Sequence, residues 1–139
     1  MPIRPALHRP LPDRPLRWLS AAALAVSAYQ HWDLARSPYV AAGQITVSGL
    51  FVAQAVVAAV VAVWVAVRDE TLAALAALAV AAGTLGALVL STYVRLPSFG
   101  PFPGLHEPVW YGDKVAAAVA AAVATVAATA VLALRRTVR

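Results

Sequence analysis

Four long apolar stretches, each closed by charge or proline, divide the chain. The first runs from about Trp18 to Ala35 and the second from about Ile45 to Val67. The third runs from about Leu72 to Val94 and the fourth from about Val115 to Leu134. A hydrocarbon core about 30 Å thick is crossed by ~20 residues of α-helix. The pattern therefore predicts an all-α fold, a membrane-embedded four-helix bundle. Arg17 and Arg36 flank the first span, and Arg68 and Arg95 follow the second and third. Lys114 and Arg135 flank the fourth. His31 and Asp33 crowd the end of the first span. A cleaved signal peptide is the rival reading there, with Arg14 and Arg17 as its charged region and Leu19 to Val26 as its apolar core. Ala28 would be the small residue before cleavage. The long charged arm, and the three spans that would remain, weigh against it.

Composition supports the membrane class. Apolar residues make up 62% of the 139 and charged residues 12%, against about 25% charged in an average soluble domain. Cysteine is absent, which excludes disulfides, thiolate metal sites and thiol redox chemistry. The net charge of +5 does not indicate nucleic acid, because the basic residues sit just outside apolar spans, where they act as orientation signals. With the N-terminus inside, the inner side holds eight Arg (Arg4, Arg9, Arg14, Arg17, Arg68, Arg135, Arg136, Arg139). The outer side then holds three cations, Arg36, Arg95 and Lys114. Both termini are thus expected in the cytoplasm of a multi-pass plasma-membrane protein. Residues 1–17 form a basic, Pro-rich arm in which Arg4-Pro5, Arg9-Pro10 and Arg14-Pro15 recur every five residues. Proline disfavours helix, so the arm is expected to be extended, near anionic lipid or a cytoplasmic partner. Residues 18–139 form the single transmembrane domain.

Within lipid, apolar helices associate through close packing of small residues. Ala116, Ala120, Ala124 and Ala128 recur at i, i+4 in the fourth span, and Ala79, Gly83 and Ala87 in the third. Ala58, Ala62 and Ala66 do so in the second. These stripes are expected to be buried, or to form a homo-oligomer face, with Val119, Val123 and Val126 turned to lipid. No ionisable residue lies near a midplane, which argues against a proton-coupled carrier or pump. Gln54 is the deepest amide, expected to bond a neighbour such as Thr84 or Ser27.

Aromatic residues crowd the outer boundary: Tyr29, Trp32, Tyr39, Tyr93, Phe99, Phe102, Trp110 and Tyr111, against Trp18 and Trp64 inside. The last outer segment, 95–113, carries four Pro and three Gly among its aromatics. It is expected to be a folded cap over the helix ends, docked by Phe99, Phe102, Trp110 and Tyr111, with His106 brought toward His31.

Candidate chemistry is also confined to that face. His31, Asp33, His106, Glu107 and Asp113 offer imidazole and carboxylate groups, which can ligate a divalent metal, and two His can ligate haem. His31 and Asp33 point to different sides of a helix, and the simpler use of these groups, which is the one expected, is an interfacial His or an ion pair such as Asp33 or Glu107 with Arg36 or Arg95. No cofactor is expected, with metal or haem as the alternative. Trp110 and Tyr111 complete the set that an organic ligand would meet. Ser91, Thr92 and Ser98 near His106 have no spacing typical of nucleophilic catalysis.

Three stretches, Gln30-His31-Trp32-Asp33-Leu34, Gly49-Leu50-Phe51-Val52-Ala53-Gln54 and Leu96-Pro97-Ser98-Phe99-Gly100-Pro101, resemble a group of small four-span membrane proteins of high-GC actinobacteria. The Asn-free, Ala-, Val- and Arg-rich composition is in keeping with it. The resemblance implies the fold and location. It carries no activity, and the Ala-Val fourth span lacks an acidic residue associated with some members. The expected role is a non-enzymatic accessory or interaction protein with the cap as recognition surface. The alternative is a ligand-binding protein holding a metal, haem or small lipid-like molecule at His31 and His106.

Overall fold

The computed structural model describes residues 13–36 and 46–137. It contains four helices, α1 (Arg14–Ala35), α2 (Val47–Val67), α3 (Thr71–Tyr93) and α4 (Gly112–Thr137). Three of them, α2, α3 and α4, are long and apolar enough to cross a membrane. Helix α1 has 22 residues, about 33 Å at 1.5 Å per residue, but it carries Arg14, Arg17, His31 and Asp33. It starts four residues before the expected Trp18, because Pro15 sits in the first turn, where its missing N–H costs no helical bond. Arg14 and Arg17 therefore belong to the helix and not to the arm. Residues 1–12 of the arm, and Tyr39, lie outside the described residues.

Helix α1 packs against both α2 and α4, and α3 packs on α4. Helices α2 and α3 touch each other less, although the short turn Arg68–Glu70 joins them. The core is built from small residues. Leu24, Val65 and Val131 are the largest apolar side chains that are fully buried, and alanines fill the rest. On α4 the stripe is as expected at Ala120, Ala124 and Ala128, and extends through Ala117, Ala121 and Val131; Ala116 is half-buried. On α2, Ala58 and Ala62 are buried. On α3 the expectation fails. Ala79, Gly83 and Ala87 are exposed on the bundle, and the buried stripe is Ala73, Ala77 and Ala81. Both sets have helical spacing, so spacing could not choose between them. A Cβ built at Gly83 meets nothing within 4 Å. The outward face of α2 (Val56, Val60, Val63) and Val119 and Val126 of α4 form an apolar exterior, which a bilayer would cover.

The two ends of the bundle differ. At one, Asp13, Arg17, Asp69 and Arg135 join α1, the α2–α3 turn and α4. Arg135 Nε donates to Asp13 Oδ2 at 3.0 Å and its Nη2 lies 2.9 Å from the same oxygen. Arg135 also bonds Asp69, and Arg17 pairs with Asp69 at 3.4 Å. Arg17 Nη2 further donates to Val65 O at 3.3 Å. At the other end, residues 96–105 form a small antiparallel turn between α3 and α4. Leu96 and Leu105 exchange two backbone hydrogen bonds, as do Phe99 and Phe102. Gly100 has φ +56°, while Pro101 is held negative by its ring. That sign pattern is the type II′ hairpin turn. Gly104 is favoured by close backbone approach, since a Cβ would sit 3.1 Å from Leu96 O.

Candidate functional site

The hairpin end carries a partly open cavity of about 410 Å³, within the range of small-molecule sites. All four helices and the return strand of the hairpin contribute to its wall. The return strand is pinned at two points. Glu107 N donates to Ser91 O at 2.9 Å, on the last turn of α3. Lys114 Nζ, from the first turn of α4, donates to Glu107 O.

His31 is buried, and its Nδ1 lies 2.8 Å from Ser27 O, one turn back on α1. A carbonyl only accepts, so Nδ1 carries the proton, and Nε2 of the neutral ring keeps its lone pair. Phe51 of α2 meets the imidazole edge-on, with ring centroids 5.8 Å apart. Gln54 Nε2 donates to Thr84 Oγ1, which donates in turn to Val80 O at 2.7 Å. This polar tie between α2 and α3 contributes to the wall. It also realises the Thr84 partner expected for the deepest amide; Ser27 Oγ is not that partner.

Of the residues singled out from the sequence, His31, His106, Glu107 and Tyr111 border this cavity. His106 is exposed and Glu107 half-buried. Asp33 is exposed on α1 and does not line the cavity. Trp110 lies just outside it, with Lys114 Nζ 5.2 Å from its ring centroid. The ion pairs expected of Asp33 or Glu107 with Arg36 or Arg95 do not form among the described residues; the ion pairs lie at the opposite end. The aromatic docking is also different from expectation. Phe99 is 81% exposed and Phe102 50%, because the tight turn throws both away from the bundle. Pro103 and Leu105 tuck inward instead.

Sequence reasoning missed Lys114, treating it only as a boundary charge. It is 2% exposed. A signal was available: Lys114, Ala117, Ala121, Ala124, Ala128 and Val131 form one continuous helical stripe, all buried. Leu50, Phe51, Ala87 and Leu88 supply the apolar wall, which sequence pattern alone could not distinguish from lipid-facing residues. Among the described residues no three His, Asp or Glu side chains gather as a metal-ligand set.

No family model matches the chain, and no curated protein and no solved structure is significantly similar to it.

Proposed function

We propose that the protein is an integral plasma-membrane protein whose four helices all cross the bilayer, with both termini cytoplasmic, and that it binds a small organic molecule without transforming it. The observation that carries this reading is the cavity of about 410 Å³ at the hairpin end, whose wall is mostly apolar and carries His31, His106, Glu107 and Lys114 among its polar groups. Helix α1 crosses because it lies along α2 and α4 and buries residues from Arg17 to Leu34 in the bundle. Its charges fall near its two ends, where the interface or the ion cluster accommodates them. An organic ligand suits the wall better than a metal or haem, because apolar groups dominate it. The protein purified in mild detergent from its native membrane should carry a bound molecule, seen by native mass spectrometry. Ala87→Phe, which pushes a ring into the cavity, should abolish it. Wild-type protein with no bound mass, and no change on adding candidate amphiphiles, would sink the reading. Stoichiometric metal or a haem absorption band lost in His31→Phe would replace it with the cofactor alternative.

A second reading, an accessory protein that recognises a membrane partner or a second copy, is favoured by the exposure of Tyr93 (71%), Phe99 (81%) and Val109 (59%) in and beside the α3–α4 connection. Crosslinking from Phe99 in intact membranes distinguishes it, because a partner, and not lipid alone, would be captured.

A further inference from the structure

Lys114 is a buried cation that lines the cavity and has no carboxylate within 4 Å among the described residues. Its ammonium donates to Glu107 O and lies over the Trp110 ring. Neither contact neutralises its charge. A buried charge out of contact with a counter-ion is costly, and an anion in the cavity would reduce that cost. Two further features act in the same direction. Lys114 is in the first turn of α4, a helix of 26 residues, whose positive dipole end favours anions. His106 borders the same space, and even a neutral imidazole keeps one N–H to donate. The opposing charge is Glu107, whose side chain is half-buried and therefore better solvated than the ammonium.

The rest of the wall defines what the anion is attached to. Leu50, Phe51, Gly83, Ala87 and Leu88 flank the cavity from α2 and α3, helices that touch less than the other neighbouring pairs. Gly83 and Ala87 line the cavity and are themselves exposed, so the wall is not closed on their side. The space thus opens sideways between α2 and α3. Gly83 lies ten residues before the end of α3 at Tyr93, about 15 Å along the helix. That is well inside the hydrocarbon for a helix crossing the bilayer.

We infer that the cavity takes an acidic single-chain amphiphile from the bilayer, its carboxylate or phosphate at Lys114 and its chain leaving between α2 and α3 past Gly83. This rests on the ligand-binding reading above and narrows it to a ligand class.

The test measures binding to the full chain in a neutral maltoside detergent, by native mass spectrometry and by thermal shift. The probes are dodecanoate, dodecyl phosphate, dodecanol, dodecyltrimethylammonium and propionate. The expected result is that dodecanoate and dodecyl phosphate bind about tenfold or more tighter than dodecanol, the scale of one charge-assisted hydrogen bond. Lys114→Met should bring the acid-to-alcohol ratio close to one. Gly83→Leu, at a position where a Cβ meets nothing, should weaken acid and alcohol alike while the helix content stays unchanged. Dodecanol binding as tightly as dodecanoate, a preference for the cationic amphiphile, or an acid preference surviving in Lys114→Met would overturn the inference while leaving the ligand-binding reading intact. Propionate matching dodecanoate would also overturn it, in favour of a soluble acid. No binding by any probe, together with no co-purified molecule, would remove both.

Discussion

The buried face of each helix decides how substitutions act, and Ala124→Leu on α4 is the sharpest probe of it. Ala124 is 0% exposed and belongs to the central cluster with Leu24, Ala77 and Ala128. Leucine adds three carbons where alanine contacts already fill the space. Overpacking of this kind costs about 1–3 kcal/mol, and the upper half of that range applies because small-residue helix contacts leave no slack. Val126→Leu, on the same helix but 70% exposed, adds one carbon on the exterior and should fall within about 0.5 kcal/mol of wild type. Gly83→Leu has no neighbour to meet and relieves a helix-interior glycine, a gain of up to ~1 kcal/mol. The order of stability is therefore Gly83→Leu at or above wild type, Val126→Leu near it and Ala124→Leu well below. Reversible unfolding in mixed maltoside and dodecyl sulfate micelles, followed by circular dichroism, measures all three. Gly83→Leu as damaging as Ala124→Leu would refute the assignment of faces and reinstate the Ala79, Gly83, Ala87 stripe as the interface.

Three further outcomes are expected. The chain has no cysteine, so single Cys substitutions report topology: Ser98→Cys should react with an impermeant maleimide in intact cells, whereas Ile3→Cys and Thr137→Cys should react only after permeabilisation. Labelling of Ile3→Cys in intact cells would show that α1 does not cross. Asp13→Asn should destabilise the bundle by roughly 2–4 kcal/mol, because it removes a buried partner of Arg135; Asp69→Asn, at a side chain 54% exposed, should cost no more than about 1 kcal/mol, and equal effects in the same unfolding assay would contradict this. Gly104→Ala should loosen the turn, since its Cβ would press on Leu96 O and Ser98 N; faster amide exchange at Leu96, Phe99, Phe102 and Leu105 is the readout, and unchanged rates would show that the backbone yields freely.

What the sequence determined by itself is whatever depends on one-dimensional counts. Uninterrupted apolar length predicts helices that match α2, α3 and α4 to within a few residues. The Pro- and Gly-rich stretch between the last two helices predicts a non-helical connection, and Gly100-Pro101 lies at its turn. A lone amide in an apolar span predicts a partner for Gln54, which is Thr84. The remainder needed the tertiary structure, for two physical reasons. A helix that is apolar all round has no polar face to mark its outside, so in α3 two alanine stripes of equal spacing compete, and only packing within the bundle buries Ala73, Ala77 and Ala81. Polar residues far apart in the chain, moreover, become partners only when helix ends meet. Asp13 and Arg135 are separated by 122 positions, and no local pattern joins them. The site follows the same division. His31, His106, Glu107 and Tyr111 are legible as groups of suitable chemistry at one end of the apolar spans. That they border one cavity, that Asp33 turns away from it, and that Lys114 is buried on its wall follow from how α1 and α4 pack and where the hairpin returns.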